Sequence, residues 1–420
     1  MPGGLIQLIA VGAQDVYLTS KPEITFFKTV YRRHTNFAIQ TFEDVFMNGT
    51  GFDKLVTCDI QRKGDLLSNI CLRVELPSLN EKNQDYFSWV NSIGHSIIEY
   101  VEIEIGGKVV DRQTGEWMEI WTEFTQTSEK RIGYNEMIGK AECFKSQFTG
   151  PMSLYIPLNF WFCKNIGLAL PLIALQYHNV KLNIKFKAFE NCWIAKSSAP
   201  DDLSPKNNEL RASILVDYVF LDLKERKRFA QNSHIYLIEQ TQYNGDVEFP
   251  KGNSIINLSL NFNHPIKELF WIIQRHDVLH NNSRNCQWRN GNDHFNYSNF
   301  VNNIYTVLET FDSMCLLING QQRFKELPAK YFRLLQPYYH HTRIPSNYIY
   351  CYSFALKPEE HQPTGTCNFS RLDNVTLRIV KNKPNVIKKI EMSDYSVRVF
   401  ATNYNVLMIT GGLSGVMFSN

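Results

Sequence analysis

Alternation of apolar and polar residues dominates the readable part of the chain. Residues 180–189 read VKLNIKFKAF, with an apolar side chain at every second position and lysine or asparagine between them. Successive side chains of a strand point to opposite faces, so this pattern predicts a half-buried strand. The same pattern predicts strands at residues 100–105, 256–262, 375–379 and 395–400. Helical patterns are few and short, and we expect helices at residues 116–127, 223–229 and 327–335.

Short strands separated by Gly, Asn and Pro turns predict an all-β protein built from antiparallel sandwiches or barrels. The two halves of the chain also resemble each other. The segment EIGGKVVDRQTGEWMEIW from Glu104 is similar to LINGQQRFKELPAKYFRLL from Leu317. A second pair of segments also matches. In the first half LYIPL, which contains Tyr155, is followed by HNVKLNIKF; in the second half CYSFAL, which contains Tyr352, is followed at a similar distance by DNVTLRIV. A third pair, AIQTF and IEQTQ, precedes these in the same order, which indicates a duplicated domain.

The junction between the halves is expected at residues 217–231, where DYVFLDLKERKRFAQ carries a strand into a charged segment. Two polar stretches, 196–210 and 280–303, are predicted to be long surface loops. The chain has 420 residues, enough for two sizeable cores. We therefore divide it into an N-terminal arm (1–24), a first domain (25–222) and a second domain (223–420).

Composition narrows the class of protein. The net charge of +3 provides no strong overall attraction for a polyanion, so a nucleic-acid site would have to be a local basic patch. The nine cysteines, an odd number without a C-x-x-C pair, indicate reduced thiols in a cytosol-like compartment. No secretory signal is predicted, and the most apolar internal stretch, FWFCKNIGLALPLIAL, is too interrupted to span a membrane.

Catalytic and cofactor motifs are missing from the sequence. It contains no phosphate-binding loop, no dinucleotide-binding glycine motif and no nucleophile elbow. Gly106 in GGK is predicted to lie in a turn between strands, and TGGLSG near the C-terminus in a turn or tail. We predict no catalytic, cofactor-binding or metal-binding residues, and no cofactor.

Three clusters were considered as sites. His276 and His280 in HDVLH, with Cys286 and His294 nearby, have metal-ligand chemistry, but the segment enters an Asn-rich loop and not a helix. His340 and His341 are expected to point to opposite faces of a strand, which prevents joint metal binding. The neighbouring carboxylates Glu359 and Glu360 follow Pro358 and are expected in a solvated turn and not in a glycosidase cleft. Glycosylation sequons begin at Asn48, Asn257, Asn281, Asn296, Asn368 and Asn374, and we expect them to be unused.

Residues 24–39, ITFFKTVYRRHTNFAI, interleave aromatic and basic side chains, a combination that can bind nucleic acid. The second half also enters its first strand after a basic run, ERKRFAQNSH. Two basic runs at equivalent positions are better explained by a structural role in each domain than by a single nucleic-acid site. We expect Phe26, Phe27 and Tyr31 to anchor the arm beneath the first domain, and Arg32 and Arg33 to pair with acidic groups during assembly.

Four long segments carry a resemblance to a known family. They are the N-terminal GGLIQLIAVGAQDVYLTSKPEITFFKTVYRRHTNFA, the central ERKRFAQNSHIYLIEQ, the late YSFALKPEEHQPTGTCNFSRLDN and the C-terminal RVFATNYNVLMITGGLSGVMFSN. Together they resemble the double jelly-roll major capsid proteins of nucleocytoplasmic large DNA viruses, in family order and over nearly the whole chain. The loops, especially residues 281–303, match least.

The resemblance implies two consecutive eight-stranded jelly rolls and a structural, non-enzymatic role. It implies homotrimers that form pseudo-hexameric capsomers and tile an icosahedral shell, with minor capsid and penton proteins as further partners. It also implies indirect contact with an internal membrane, no direct contact with nucleic acid, assembly in the host cytoplasm and a final location in the virion. The alternative is a carbohydrate-binding or carbohydrate-active jelly-roll protein, which would need a cleft with convergent carboxylates or exposed stacked aromatics.

Overall fold

A computed structural model of the chain describes residues 2–79, 86–141, 150–195, 205, 210–250, 253–279, 292–298, 309–381 and 394–418. These residues form two compact units, Met1–Asn36 and Phe37–Asn420. The first unit contains two short helices, α1 (Gly3–Ile9) and α2 (Val16–Thr19), neither of which buries a residue. The second unit contains two β-barrels.

The first barrel is built from the strands that precede residue 222. In chain order these are β1 (Phe37–Val45), β2 (Leu55–Ile60), β3 (Leu66–Leu76), β4 (Phe87–Trp89), β5 (Ile98–Ile105), β6 (Lys108–Thr114), β7 (Met152–Pro157), β8 (Val180–Phe186), β9 (Trp193–Ala195) and β10 (Arg211–Leu221). Two four-stranded antiparallel sheets, ordered β1-β10-β3-β7 and β2-β8-β5-β6, face each other across a common core. Strands β4 and β9 form a separate pair.

The second barrel contains the remaining strands. These are β11 (His234–Phe249), β12 (Ile255–Ser259), β13 (Pro265–Arg275), β14 (Ser313–Ile318), β15 (Gln321–Gln322), β16 (Leu327–Pro328), β17 (Ile349–Ser353), β18 (Cys367–Asn368), β19 (Val375–Val380), β20 (Tyr395–Thr410) and β21 (Leu413–Val416). Its two sheets are ordered β11-β20-β13-β17 and β12-β19-β14-β15, with β16, β18 and β21 pairing at the sides. A second hydrophobic core lies between these sheets.

The two barrels have the same strand order. Each main sheet path contains four strands, and each of the eight strands in the two main sheets of the first barrel has a counterpart in the same position of the second. This confirms the prediction of an all-β protein with two consecutive eight-stranded jelly rolls. The pairing of Tyr155 with Tyr352 in the repeat was wrong, because Tyr155 lies on the exposed side of β7 whereas Tyr352 packs against the second core.

The alternating patterns explain the strands. In β8 the apolar residues are buried in the first core, and Lys181 and Lys185 between them are only partly covered. All five predicted strands are present, with bounds that differ by a few residues, and β20 is longer than predicted. The turns at Gly106 and at Gly411–Gly412 are also confirmed, since these glycines have positive φ angles and join β5 to β6 and β20 to β21.

Short helices connect the strands. They are α3 (Ile93–Ser96), α4 (Gly115–Thr125), α5 (Ser128–Ile138), α6 (Trp161–Lys164), α7 (Leu223–Gln231) and α8 (Gln336–His340), with a π-helix at Tyr331–Leu335 running directly into α8. Single 3₁₀ turns lie at Ile166–Leu168, Phe189–Asn191, His276–Val278 and Phe369–Arg371. The helix predicted at 327–335 therefore begins later and ends later than expected, because residues 327 and 328 pair with β14.

Candidate assembly surfaces

The two barrels of one chain meet where α4 of the first packs on the outer face of a sheet of the second. Trp117 contacts Phe270 of β13 and Phe400 of β20, with ring centroids 5.3 and 5.8 Å apart. Phe124 also contacts Phe270 at 5.0 Å. Together with residues of β17 these side chains form a buried cluster distinct from both barrel cores. We call this arrangement the helix-on-sheet contact.

The start of α4 is fixed by the residues just before it. The Thr114 hydroxyl accepts a hydrogen bond from the backbone N–H of Trp117, which caps the helix. Gly115 follows, and a Cβ atom there would lie 2.0 Å from the carbonyl oxygen of His95. Only glycine allows the first turn to approach the α3 backbone so closely. This cap and this close approach orient the Trp117 face of the helix toward the second barrel.

A partly buried ion pair crosses the helix-on-sheet contact. The guanidinium of Arg398 on β20 donates to Glu116 of α4 at 2.5 Å and to Asp246 of β11 at 2.9 Å. Tyr297 also donates to Glu116 at 3.3 Å. Burial raises the pKa of Glu116, and Arg398 offsets only part of that increase. The pair fixes the position of α4 along the sheet, because a buried carboxylate without its cation would be costly.

A second charged link joins the barrels at Glu239 of β11. Its carboxylate accepts from Lys164 of the first barrel at 2.9 Å and from Lys267 of the second at 2.6 Å. Lys267 is completely buried and also donates to the carbonyl of Pro358 at 2.7 Å. Burial alone would raise the pKa of Glu239, but the two ammonium groups outweigh it and lower the pKa to about 2. Glu239 is therefore ionised at neutral pH and binds one lysine from each barrel.

A third network of charged side chains holds α4 in place. Lys140 donates to Glu119 and to Glu123, each at 2.5 Å. Burial alone would raise the pKa of Glu119, but Lys140 and His95 lower it to about 2. Glu123 also accepts from Ser346 of the second barrel at 2.9 Å, so this network crosses between the barrels too.

The histidines considered as metal ligands do not converge. His276 Nε2 lies 2.7 Å from Ser396 Oγ, and His294 Nε2 lies 2.7 Å from the carbonyl of Asn191. His280 and Cys286 lie outside the described residues. Across the described part of the chain, no group of three or more His, Cys, Asp or Glu side chains is placed to hold a metal ion.

The strand predicted for His340 and His341 was wrong. His340 ends α8, and its Nδ1 lies 3.0 Å from the carbonyl of Leu356. His341 is buried with one ring nitrogen 3.0 Å from Glu359 and the other 3.4 Å from Glu268. Pro337 is the second residue of α8, which directly continues the π-helix.

The two adjacent carboxylates have different environments. Glu359 and Glu360 do lie in a turn, as predicted. Glu360 is exposed and pairs with Lys357 at 2.8 Å. Glu359 is not a solvated group, because it also accepts from the backbone N–H of Thr342 at 2.9 Å and is only 21% exposed. Neighbouring carboxylates thus bind separate partners.

Four of the six sequon asparagines are exposed: Asn48, Asn257, Asn368 and Asn374. Asn296 is partly buried and Asn281 lies outside the described residues. The polar stretches 196–210 and 280–303 also lie largely outside them. Whether sequons are used is not decided by exposure, so this expectation stays a prediction.

The first compact unit, Met1–Asn36, exposes nearly all of its apolar side chains. Phe26, Phe27 and Tyr31 are 91%, 99% and 85% exposed. Arg32 and Arg33 lie in an irregular segment, whereas the matching basic run of the second half forms α7, capped by the Asp222 carboxylate. The two runs occupy equivalent positions before β1 and β11 but differ in conformation. No helix within the described ranges is long and apolar enough to cross a membrane.

Sequence reasoning located α4 but missed its partner and the charged residues of the interface. The missed groups are Glu116, Lys164, Glu239, Lys267 and Arg398. One signal was available, since α4 carries Trp117, Met118 and Trp121, which point to more than one side of a helix. A helix that is apolar on two sides is buried between two bodies.

Comparison with known proteins finds matches for both barrels. A family model described as the major capsid protein N-terminus matches residues 25–222, and one for the large eukaryotic DNA virus major capsid protein matches residues 225–415. The chain is 40% identical to the major capsid protein of Pyramimonas orientalis virus and 38% identical to that of Phaeocystis pouchetii virus, each over the full length of both chains. It also resembles a chain in a quasi-atomic model of the PBCV-1 virus capsid, with 31% identity, a TM-score of 0.77 and coverage of 94% of this chain and 100% of that one.

Proposed function

Because the chain belongs to the family of large eukaryotic DNA virus major capsid proteins, we propose that it acts by self-association into trimeric capsomers. Its role is that of a major capsid protein, a building unit of the virus shell. We propose that three copies form a pseudo-hexameric capsomer and that capsomers tile an icosahedral surface. Its action is binding alone, without a catalytic step.

One observation carries the trimer proposal: the two barrels of a chain repeat one strand order. Three such chains bring together six similar barrels, which approximates sixfold packing with only threefold symmetry. The barrels of one chain are joined by a buried aromatic cluster and by crossing ion pairs. A chain with this internal contact adds two adjacent barrels to the ring as one block.

The first compact unit, Met1–Asn36, supplies a candidate surface for further partners. Its apolar side chains, among them Phe26, Phe27 and Tyr31, are exposed in the single chain. Large exposed apolar segments mark surfaces that are covered in an assembly. We propose that neighbouring capsomers, minor capsid proteins and penton proteins cover this unit, that Arg32 and Arg33 pair with acidic groups there, and that any contact with an internal membrane is indirect.

We propose functional boundaries of 1–24 for the arm, 25–222 for the first jelly roll and 223–420 for the second. Assembly in the host cytoplasm is supported by seven described cysteines, all of which are free thiols. We propose no cofactor and no direct contact with nucleic acid.

Native mass spectrometry of the purified chain tests the self-association, with a gel-shift assay on duplex DNA alongside. We expect a stable species of three chains that leaves DNA mobility unchanged. A monomer that retards DNA would overturn the proposal.

The arm is tested with the double variant Arg32→Ala and Arg33→Ala. We expect it to form fewer capsomers or particles than wild type, measured by sedimentation. Normal assembly together with loss of a DNA affinity present in wild type would instead identify residues 24–39 as a nucleic-acid site.

A further inference from the structure

The duplicated fold contains a second helix and a second sheet that the single chain leaves apart. The helix-on-sheet contact uses α4 of the first barrel and the sheet β11-β20-β13-β17 of the second. We propose that the helical segment 331–340 of one copy docks on the outer face of the sheet β1-β10-β3-β7 of a second copy. This inference rests on the proposed trimer and names the surfaces that form it.

The helical segment 331–340 is the counterpart of α4. Each follows the hairpin of its barrel, β5–β6 or β14–β15, in chain order. Met118 of α4 is buried in the first core, and Phe332 is buried in the second. Three and six positions after the core residue come Trp121 and Phe124 in α4, and Leu335 and Tyr338 in the second helical segment.

These counterparts differ sharply in exposure. Trp121 and Phe124 are 7% and 0% exposed because they lie in the helix-on-sheet contact. Leu335 and Tyr338 are 39% and 68% exposed. The second helical segment therefore presents to solvent the positions that α4 buries against a barrel.

The receiving sheets correspond in the same way. In β13, Phe270 points outward between core residues and pairs with Phe400 of β20. In β3, Cys71 occupies the matching outward position and pairs with Leu215 of β10. Phe270 and Phe400 are fully buried beneath α4, whereas Cys71 and Leu215 are only partly covered and Tyr155 beside them is 37% exposed. The first barrel thus has an open face where the second has a covered one.

The charges on the two open surfaces are complementary. Glu116, two positions before the core residue of α4, pairs with Arg398 on the covered sheet. Lys330 is two positions before Phe332 and is exposed. At the place of Arg398 the first barrel has Ser213, which donates to the exposed Glu43 at 2.6 Å. Ser213 is neutral, and Glu43 also lies 3.3 Å from Arg73 on the same face. The open sheet therefore offers a carboxylate near the place that Arg398 has on the covered sheet, and we place Lys330 of one copy opposite Glu43 of the next.

A second copy is the occupant that this geometry selects. One chain provides one open helix and one open sheet face, which are different surfaces, so they join copies head to tail. If each contact turns one barrel by a sixth of a full turn relative to the next, six barrels close a ring after three copies. The ring then contains six helix-on-sheet contacts, three within chains and three between them.

Charge exchange tests the pairing. We expect Lys330→Glu and Glu43→Lys each to raise the trimer dissociation constant at least tenfold, measured by analytical ultracentrifugation at fixed salt. The double variant should restore the constant to within about threefold of wild type, because exchanging two directly facing charges restores their attraction. Tyr338→Ala should weaken the trimer by a similar factor. The matched control is Tyr177→Ala, a 74% exposed tyrosine outside both surfaces, which should leave the constant unchanged.

The outcomes separate the inference from the proposed function. A wild-type trimer whose dissociation constant is unaffected by the single charge variants and by Tyr338→Ala would overturn these surfaces but leave the trimer intact. Weakened single variants that the double variant does not restore would overturn the Lys330–Glu43 pairing. A wild-type monomer would overturn the trimer and the surfaces together. Thermal melting of each variant shows whether its barrels are folded.

Discussion

Replacing Glu239 by glutamine should weaken the link between the barrels in a pH-dependent way. The pKa of this carboxyl is about 2 in the folded chain, against an ordinary value of 4.5. Each tenfold change in the acid dissociation constant corresponds to about 1.4 kcal/mol, so the ionised carboxylate contributes about 3 kcal/mol of stability at pH 7. Part of this loss arises because the variant leaves the fully buried Lys267 without its carboxylate.

The sign of the pH dependence follows from the lowered pKa. The contribution of Glu239 is complete above the unfolded pKa of 4.5 and is lost as the pH falls from there toward 2. Linkage leaves most of this contribution at pH 4 and roughly half of it at pH 3. The difference in stability between wild type and Glu239→Gln should therefore shrink by about half between pH 7 and pH 3.

Urea unfolding followed by circular dichroism, at one protein concentration and at pH 7, 4 and 3, measures this difference. Glu248→Gln is the matched control, because Glu248 lies on the same strand and is exposed. The control should change the free energy of unfolding by less than about 0.5 kcal/mol. A Glu239→Gln variant as mild as the control, or one whose loss is the same at pH 3 as at pH 7, would refute the reasoning.

Two further perturbations address the barrel contact and the thiols. Trp117→Ala should cost about 3–5 kcal/mol of unfolding free energy, because the indole is buried between the barrels; a loss below about 1 kcal/mol in the same urea assay would contradict this. Burial raises the pKa of Cys58 and of Cys192 to about 12, so iodoacetamide at pH 8 should label both far more slowly in the folded chain than in urea. Peptide mass spectrometry checks this, and equal labelling rates would show that these thiols are accessible.

Local patterns predicted the strands well because alternation is a property of neighbouring residues. The hairpin turn at Gly106 and the start of α7 after Asp222 were also readable locally. The internal repeat predicted the two barrels, and the equal strand orders confirm it. Aligning individual residues within one short repeat was less accurate, as the alignment of Tyr155 with Tyr352 shows. A shift of one position in such an alignment moves a side chain to the opposite face of the strand.

Contacts between distant segments could not be predicted in the same way. Glu116 and Arg398 are far apart in the sequence, and no local pattern joins them. His341 was expected in a strand, yet it is held between two carboxylates that approach from other parts of the fold. The sequence shows which residues are apolar or charged, whereas the packing of one barrel on another decides which of them meet.

Electron microscopy of purified virus particles tests the central claim most directly. We predict shell capsomers of pseudo-hexagonal outline, each containing three copies of this chain and six barrels, with the helical segment 331–340 of one copy on the sheet β1-β10-β3-β7 of the next. Capsomers with a different number of copies, or a shell that lacks this chain, would contradict the account.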